Sequence, residues 1–306
     1  MHRRHWLKSS AATALATLSP PLRTLLAENP KPLNILYAVK YQMIRDGQTP
    51  LEKFHILEKA GLDGTEVTTS HKLDHNAVRD ASRETKLPVH GIINSSNPEI
   101  IPALELAKFY DATSVLVVAG DDDDSLSYDQ KFAHWQKLIH KALPLAEKTD
   151  IKIAIENVRN TFLKEAEEMA RFIDSFQSPA VRSYFDTGNT ITWTEQSAAH
   201  WAKVLGHRIY KLDIKDRGHP QFGDPKLKRP GVTTGTDDGE VNWQSIRQTL
   251  RQLNFSGWAT AEIKGGNLPH LKATAQWMRS ILNPDRSGNH RANQVRIPVA
   301  NSSLTE

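Results

Sequence analysis

The sequence predicts an α/β fold, a single (β/α)8 barrel. Three observations carry that expectation. Short β-like apolar runs alternate with amphipathic helical patterns eight times from Pro32 onward. Successive runs start a few tens of residues apart, the length of a βα unit. The chain has 306 residues, 39% of them hydrophobic, a size that one such barrel fills.

The eight runs are NILYAV (34–39), GTEVTT (64–69), PVHGIIN (88–94), SVLVVAG (114–120), IKIAIEN (151–157), VRSYFDTGN (181–189), RIYKLDIKD (208–216) and GWATAEIK (257–264). Between them, stretches such as PLEKFHILEKAG and KFAHWQKLIHKALPLAEKTD repeat apolar residues every three or four positions, as one helix face requires. KATAQWMRSIL continues that pattern after the eighth run. Trp135, Trp201 and Trp277 fall in helical patterns and read as packing residues. Asp121–Asp124 lack the ligand and glycine spacing of a calcium loop and read as a solvated turn. The Gly/Pro/Asp/Lys-rich stretch 217–241 is too long for an idle connection and reads as a loop over the site.

The two ends differ from the body. Residues 1–27 contain Arg3, Arg4, Lys8 and Arg23 and no acid. Arg3-Arg4 followed by His5, Trp6, Leu7 and Lys8 resembles a twin-arginine export signal, which implies a periplasmic location. Without the leader, 35 basic residues match 35 acidic ones, so the body has no net attraction for nucleic acid. No apolar run approaches the ~20 residues needed to span a bilayer. Cysteine is absent, which excludes disulfides and thiolate metal sites. The expected organisation is an export signal over 1–27, a barrel domain over 28–283 and a polar tail over 284–306. Oligomeric state is left open.

Period two places the chemistry. Lys152, Ala154 and Glu156 share one face of the fifth run, opposite Ile151, Ile153 and Ile155. Lys211, Asp213 and Lys215 share one face of the seventh, and Trp258, Thr260 and Glu262 one face of the eighth. With the apolar set against the helices, these sets point into the barrel. Glu156, Asp186, Asp213 and Glu262 then end four consecutive strands, on the barrel face where such folds place their chemistry. Four carboxylates suit a hard divalent cation, Mn²⁺ or Mg²⁺. His90, Asn94, Glu66 and Lys40 read as sugar-contacting or solvated rim residues.

The pattern resembles the xylose-isomerase-like TIM-barrel superfamily over about residues 33–282, in particular its sugar phosphate isomerase/epimerase group and the ketose 3-epimerases. Glu156 in IAIEN, Asp186 in YFDTGN and Glu262 in AEIKGG match the family's strand-end acids. The run from Gly235 to Trp243 is similar to the family's segment before the last helix. Two positions depart: Asp213 and Asn189 stand where the family has histidines. The resemblance implies a metal-dependent sugar isomerase or epimerase working through an ene-diolate. It gives Glu156 and Glu262 a double role as ligands and as the acid/base pair. His90, Asn189, Lys215 and Lys264 are expected to touch substrate. Four carboxylates around a divalent ion carry a formal excess of negative charge, for which Lys211, Lys215 and Lys264 are the expected counter-charges. The alternatives are a non-catalytic sugar-binding barrel and a keto-sugar or keto-inositol dehydratase reusing the same ene-diolate. An abasic-site endonuclease is disfavoured by the missing strand-end histidines and the balanced charge.

Overall fold

In the computed structural model the described residues are 32–120, 125–159, 161–194, 196–216 and 240–284. The leader, the acidic run Asp121–Asp124, the stretch 217–239 and the tail from 285 onward lie outside them, so the expectations placed there stand as expectations.

Eight parallel strands close into a barrel in sequence order. They are β1 (Asn34–Lys40), β2 (Gly64–Thr68), β3 (Val89–Ser95), β4 (Ser114–Val117), β5 (Lys152–Glu156), β6 (Val181–Asp186), β7 (Ile209–Ile214) and β8 (Ser256–Ala261). Around them run α1 (Pro50–Ala60), α2 (His75–Thr85), α3 (Ile100–Phe109), α4 (Tyr128–Thr149), α5 (Ala166–Asp174), α6 (Thr187–Trp193), α7 (Ala198–Leu205), α8 (Trp243–Gln252) and α9 (Leu268–Leu282). Each sequence run overlaps its strand, the first, third and eighth missing one terminal residue, Lys40, Ser95 and Ser256. β8 pairs with β1, with Val39 opposite Ala261.

Local chemistry sets the helix ends. Thr49 and Glu52 form a reciprocal capping box, Pro50 opens α1, and Gly61 ends it at φ 74°. Ser127 and Gln130 repeat the box at α4. The sixth run overreached: its last three residues belong to α6, because the Asp186 carboxylate caps that helix by accepting from the Asn189 amide. The eighth overreached as well, since the strand ends at Ala261.

The large core lies between strands and helices, and includes Ile153, Ile155, Leu212, Ile214, Ala259 and Ala261. The opposite faces fill the barrel. Ile93, Leu116, Val118, Ala154 and Tyr184 form a small apolar cluster inside it. The inward parity read from the sequence therefore holds. Trp135, Trp201 and Trp277 are buried. Asn283 joins the two ends of the barrel: its amide donates to the Leu33 carbonyl and the Tyr37 hydroxyl, and its oxygen accepts from the Leu33 amide.

Candidate metal and catalytic centre

Glu156 and Asp186 are the last residues of β5 and β6, Asp213 is the penultimate residue of β7, and Glu262 follows β8. Glu262 keeps its place through one more ladder bond, its amide donating to the Ile214 carbonyl at 3.0 Å. One carboxylate oxygen from each of the four lies within 4.8 Å of the others. Glu156, Asp186 and Asp213 are buried, whereas the Glu262 side chain is 35% exposed at the rim.

Neighbouring polar contacts lock these strand ends together. Asn157 bonds reciprocally to the Asp186 backbone, accepting from its amide and donating to its carbonyl, both at 2.9 Å. Thr187 donates to the carbonyls of Asp213 and Lys215. Asn189 is buried; its amide nitrogen donates to the Asn157 carbonyl at 2.8 Å and reaches Glu156 Oε1 at 3.4 Å. Asn189 thus stands in the centre, as a partner of two of the acids. A Cβ at Gly188 would overlap Lys215, so only glycine leaves room for that lysine across the start of α6.

Among the described residues, two lysines enter the mouth. Lys215 Nζ lies 2.9 Å from Asp186 Oδ2 and 2.7 Å from Glu262 Oε2. Lys40 Nζ lies 3.1 Å from Asp213 Oδ2 and 2.7 Å from Glu262 Oε1. The other two expected counter-charges do not serve. Lys264 is exposed beyond the strand, where inward parity no longer holds. Lys211 points to a deeper layer, donating to the His90 carbonyl at 2.6 Å and to His90 Nδ1 at 3.0 Å. Lys40, read from sequence as a rim residue, is 4% exposed and is the second counter-charge.

That deeper layer holds His90 and Glu66, both buried rather than solvated. His90 stacks on Trp258 with centroids 3.9 Å apart, and its Nε2 meets the Thr260 hydroxyl at 3.2 Å. Tyr184 donates to Glu66 Oε2 at 2.9 Å and also meets Thr260. Gly91 makes space for Glu66, whose Oε1 would overlap a Cβ there. Asn94 is buried and committed to Asn97 and Thr69 rather than solvated.

Burial and mutual repulsion shape the acids. Burial, reinforced by the charge of Glu262, pushes Glu156 up to about 8. Burial pushes Asp186 up to about 6 despite Lys215 beside it. Asp213 is held well above the usual carboxylate range by burial, with Glu262 and Glu156 adding to it against Lys40. Burial would raise Glu262 too, but Lys40 and Lys215 outweigh it and hold that acid below its usual range. Oδ1 of Asp213 is buried with no hydrogen-bond partner among the described residues. Among the described residues, four carboxylates against two ammonium groups leave a formal charge of −2. An all-oxygen donor set, an unpartnered buried oxygen and that charge fit a hard divalent cation.

The model of a family described as xylose isomerase-like TIM barrel matches residues 95–281. An inosose dehydratase of Clostridium botulinum (strain Alaska E43 / Type E3) is 23% identical over 234 residues, covering 66% of this chain and 78% of that protein. Among solved structures, a 3-keto-D-glucoside 4-epimerase from E. coli has a TM-score of 0.65 at 17% identity, covering 81% of this chain and 99% of that one. An L-ribulose 3-epimerase has a TM-score of 0.66 at 14% identity, covering 86% and 100%. At these identities the structural likeness establishes the fold.

Proposed function

The chain belongs to the xylose isomerase-like TIM-barrel family, and from that premise we propose that it is a divalent-metal-dependent sugar isomerase or epimerase that moves a carbon-bound proton. The observation that carries the reading is the convergence of Glu156, Asp186, Asp213 and Glu262 within 4.8 Å at the barrel mouth. These four residues would hold the cation, with Mn²⁺ or Mg²⁺ the best match to oxygen donors. A bound divalent cation would supply Lewis-acid polarisation of adjacent carbonyl and hydroxyl oxygens, stabilising an ene-diolate.

The chain's own groups do the rest. Glu156 is buried and Glu262 lies at the rim, and the reading assigns them to opposite sides of the sugar. One removes the carbon-bound proton and the other returns it. Asn189, beside Glu156, and Lys215, between Asp186 and Glu262, would meet sugar hydroxyls in this reading. His90 lies beneath this layer, and its part in the reading is to support the floor through Lys211, Thr260 and Trp258.

The likeness to an inosose dehydratase favours a second reading, loss of water from a keto-inositol or keto-sugar after the same proton abstraction. The leader is read as a twin-arginine signal, and an exported enzyme would meet free or modified sugars rather than phosphorylated ones. One experiment tests these readings together: incubate the Mn²⁺-loaded protein with ketoses and inososes in D₂O. Deuterium at a carbon with an epimer or isomer supports the first reading, and an unsaturated or deoxy product the second. No exchange, no product and saturable sugar binding would leave a binding barrel instead.

A further inference from the structure

Among the described residues, the ion pairs of the mouth form one alternating chain: Asp213, Lys40, Glu262, Lys215, Asp186. Glu156 stands outside it, with no ion pair. Each lysine therefore bridges two acids from different strands. Lys40 arrives from the opposite end of the sequence. Barrel closure sets Val39 beside Ala261, and this brings the next residues, Lys40 and Glu262, together.

Asp213 is the acid that most needs this arrangement. Its side chain is fully buried. Oδ2 takes the Lys40 ammonium, and Oδ1 has no hydrogen-bond partner among the described residues. A buried carboxylate with one open oxygen is costly unless a charge lies against it. Without Lys40 the mouth would carry a formal −3, one negative charge more than a divalent cation neutralises. With Lys40 it carries −2, and a single divalent cation brings it to zero.

We propose that Lys40 is the counter-charge that neutralises Asp213 within the cation site, the two acting as one charge-neutral unit so that the mouth keeps a formal −2 for a single divalent cation. The inference rests on the metal reading above. Lys40 is a positioning residue that pairs with Asp213 and Glu262 and whose charge offsets theirs beside the cation. The inference predicts an order of affinity that follows charge, whereas a merely structural Lys40 would lower affinity when removed.

The test is calorimetric titration of the chelator-stripped full chain with Mn²⁺, in mildly alkaline buffer so that protons do not compete. The set is the wild type, Lys40→Met, Asp213→Asn, the double variant, and Lys40→Arg, which retains the charge. Lys40→Met should bind about tenfold more tightly than the wild type, and Asp213→Asn about tenfold more weakly, the scale of one unit charge a few ångströms from a divalent ion in a high dielectric. The double variant should return to within a few-fold of the wild type, and Lys40→Arg should stay there. Weaker binding by Lys40→Met, or a double variant no better than Asp213→Asn, overturns the inference while leaving the metal reading intact. If Lys40→Met alone does not fold, the double variant and Lys40→Arg decide the question by the same criteria. A wild type that binds no Mn²⁺ ends the metal reading, and this inference with it.

Discussion

Asp216, two residues after β7, accepts the indole N–H of Trp243 at 2.8 Å through Oδ2, tying the end of that strand to the start of α8. Its Oδ1 accepts the backbone amides of Glu240 and Val241. One buried carboxylate thus gathers three donors from the far side of the stretch 217–239. Asp216→Ala would strand them, and an unsatisfied buried donor costs roughly 1–3 kcal/mol. The variant should lose about 3–5 kcal/mol of unfolding free energy in urea. A loss below about 1 kcal/mol would mean that water replaces the carboxylate freely.

The cation-free protein should lose stability as pH rises from about 5 to about 8. Glu156 and Asp186 have pKa values raised by burial to about 8 and about 6, from ordinary values of 4.5 and 3.8. A raised carboxyl pKa means that the folded chain holds a proton the unfolded chain has released. The stabilisation is complete below the unfolded value and disappears as pH passes the folded one. Asp213 and Asp216, also raised by burial, add to the loss; His90 and Lys211, both lowered by burial, oppose it inside the window, and Glu262 has the opposite sign only in acid, outside it. Each proton contributes a slope of up to about 1.4 kcal/mol per pH unit. Urea melts in chelator across the window check this, and a flat or rising profile contradicts it. Mn²⁺ should rescue stability most at the alkaline end, because binding displaces those protons.

Much of this centre was legible in the sequence because a barrel strand is a simple code. Alternation assigned Glu156, Asp213 and Glu262 to the interior, and consecutive strands placed them with Asp186 side by side. The code stops where the strand stops. Lys264 shares parity with Glu262 on paper, but β8 ends at Ala261 and the lysine faces solvent. Asn189 looked like a strand residue because nothing in YFDTGN marks the point where the Asp186 carboxylate turns from strand end to helix cap. Lys40 is hard to read for another reason. It lies 222 positions from Glu262, and only closure of β1 on β8 makes them neighbours. The signal was available: a charged residue ending the first strand of a closed barrel adjoins whatever ends the last.

The leader makes its own prediction. Replacing both Arg3 and Arg4 with lysine should retain the precursor in the cytoplasm, since the paired arginines are the feature that the export reading rests on. Cell fractionation with an antibody to the barrel domain reads the outcome. Unchanged export and processing of the double variant would remove the twin-arginine assignment without touching the fold.

Glu156 and Glu262 should separate when each is changed to glutamine. Both variants lose a group able to take up a proton, so each should lower turnover by about 10² to 10⁴, the usual contribution of a general acid or base. Their stabilities should move in opposite directions. Glu156 is buried with a 3.4 Å amide contact and, among the described residues, no ion pair, and its charged form is unfavourable there. A neutral amide of the same shape removes that penalty, so at about pH 8 the cation-free Glu156→Gln protein should be at least as stable as the wild type. Glu262 is the shared partner of Lys40 and Lys215. Its replacement leaves each ammonium with one carboxylate where it had two, and the cation-free protein should lose about 1–3 kcal/mol. Chemical melts and turnover measured on the same preparations test the pair. If Glu156→Gln keeps wild-type turnover while still binding Mn²⁺, the two-glutamate chemistry fails.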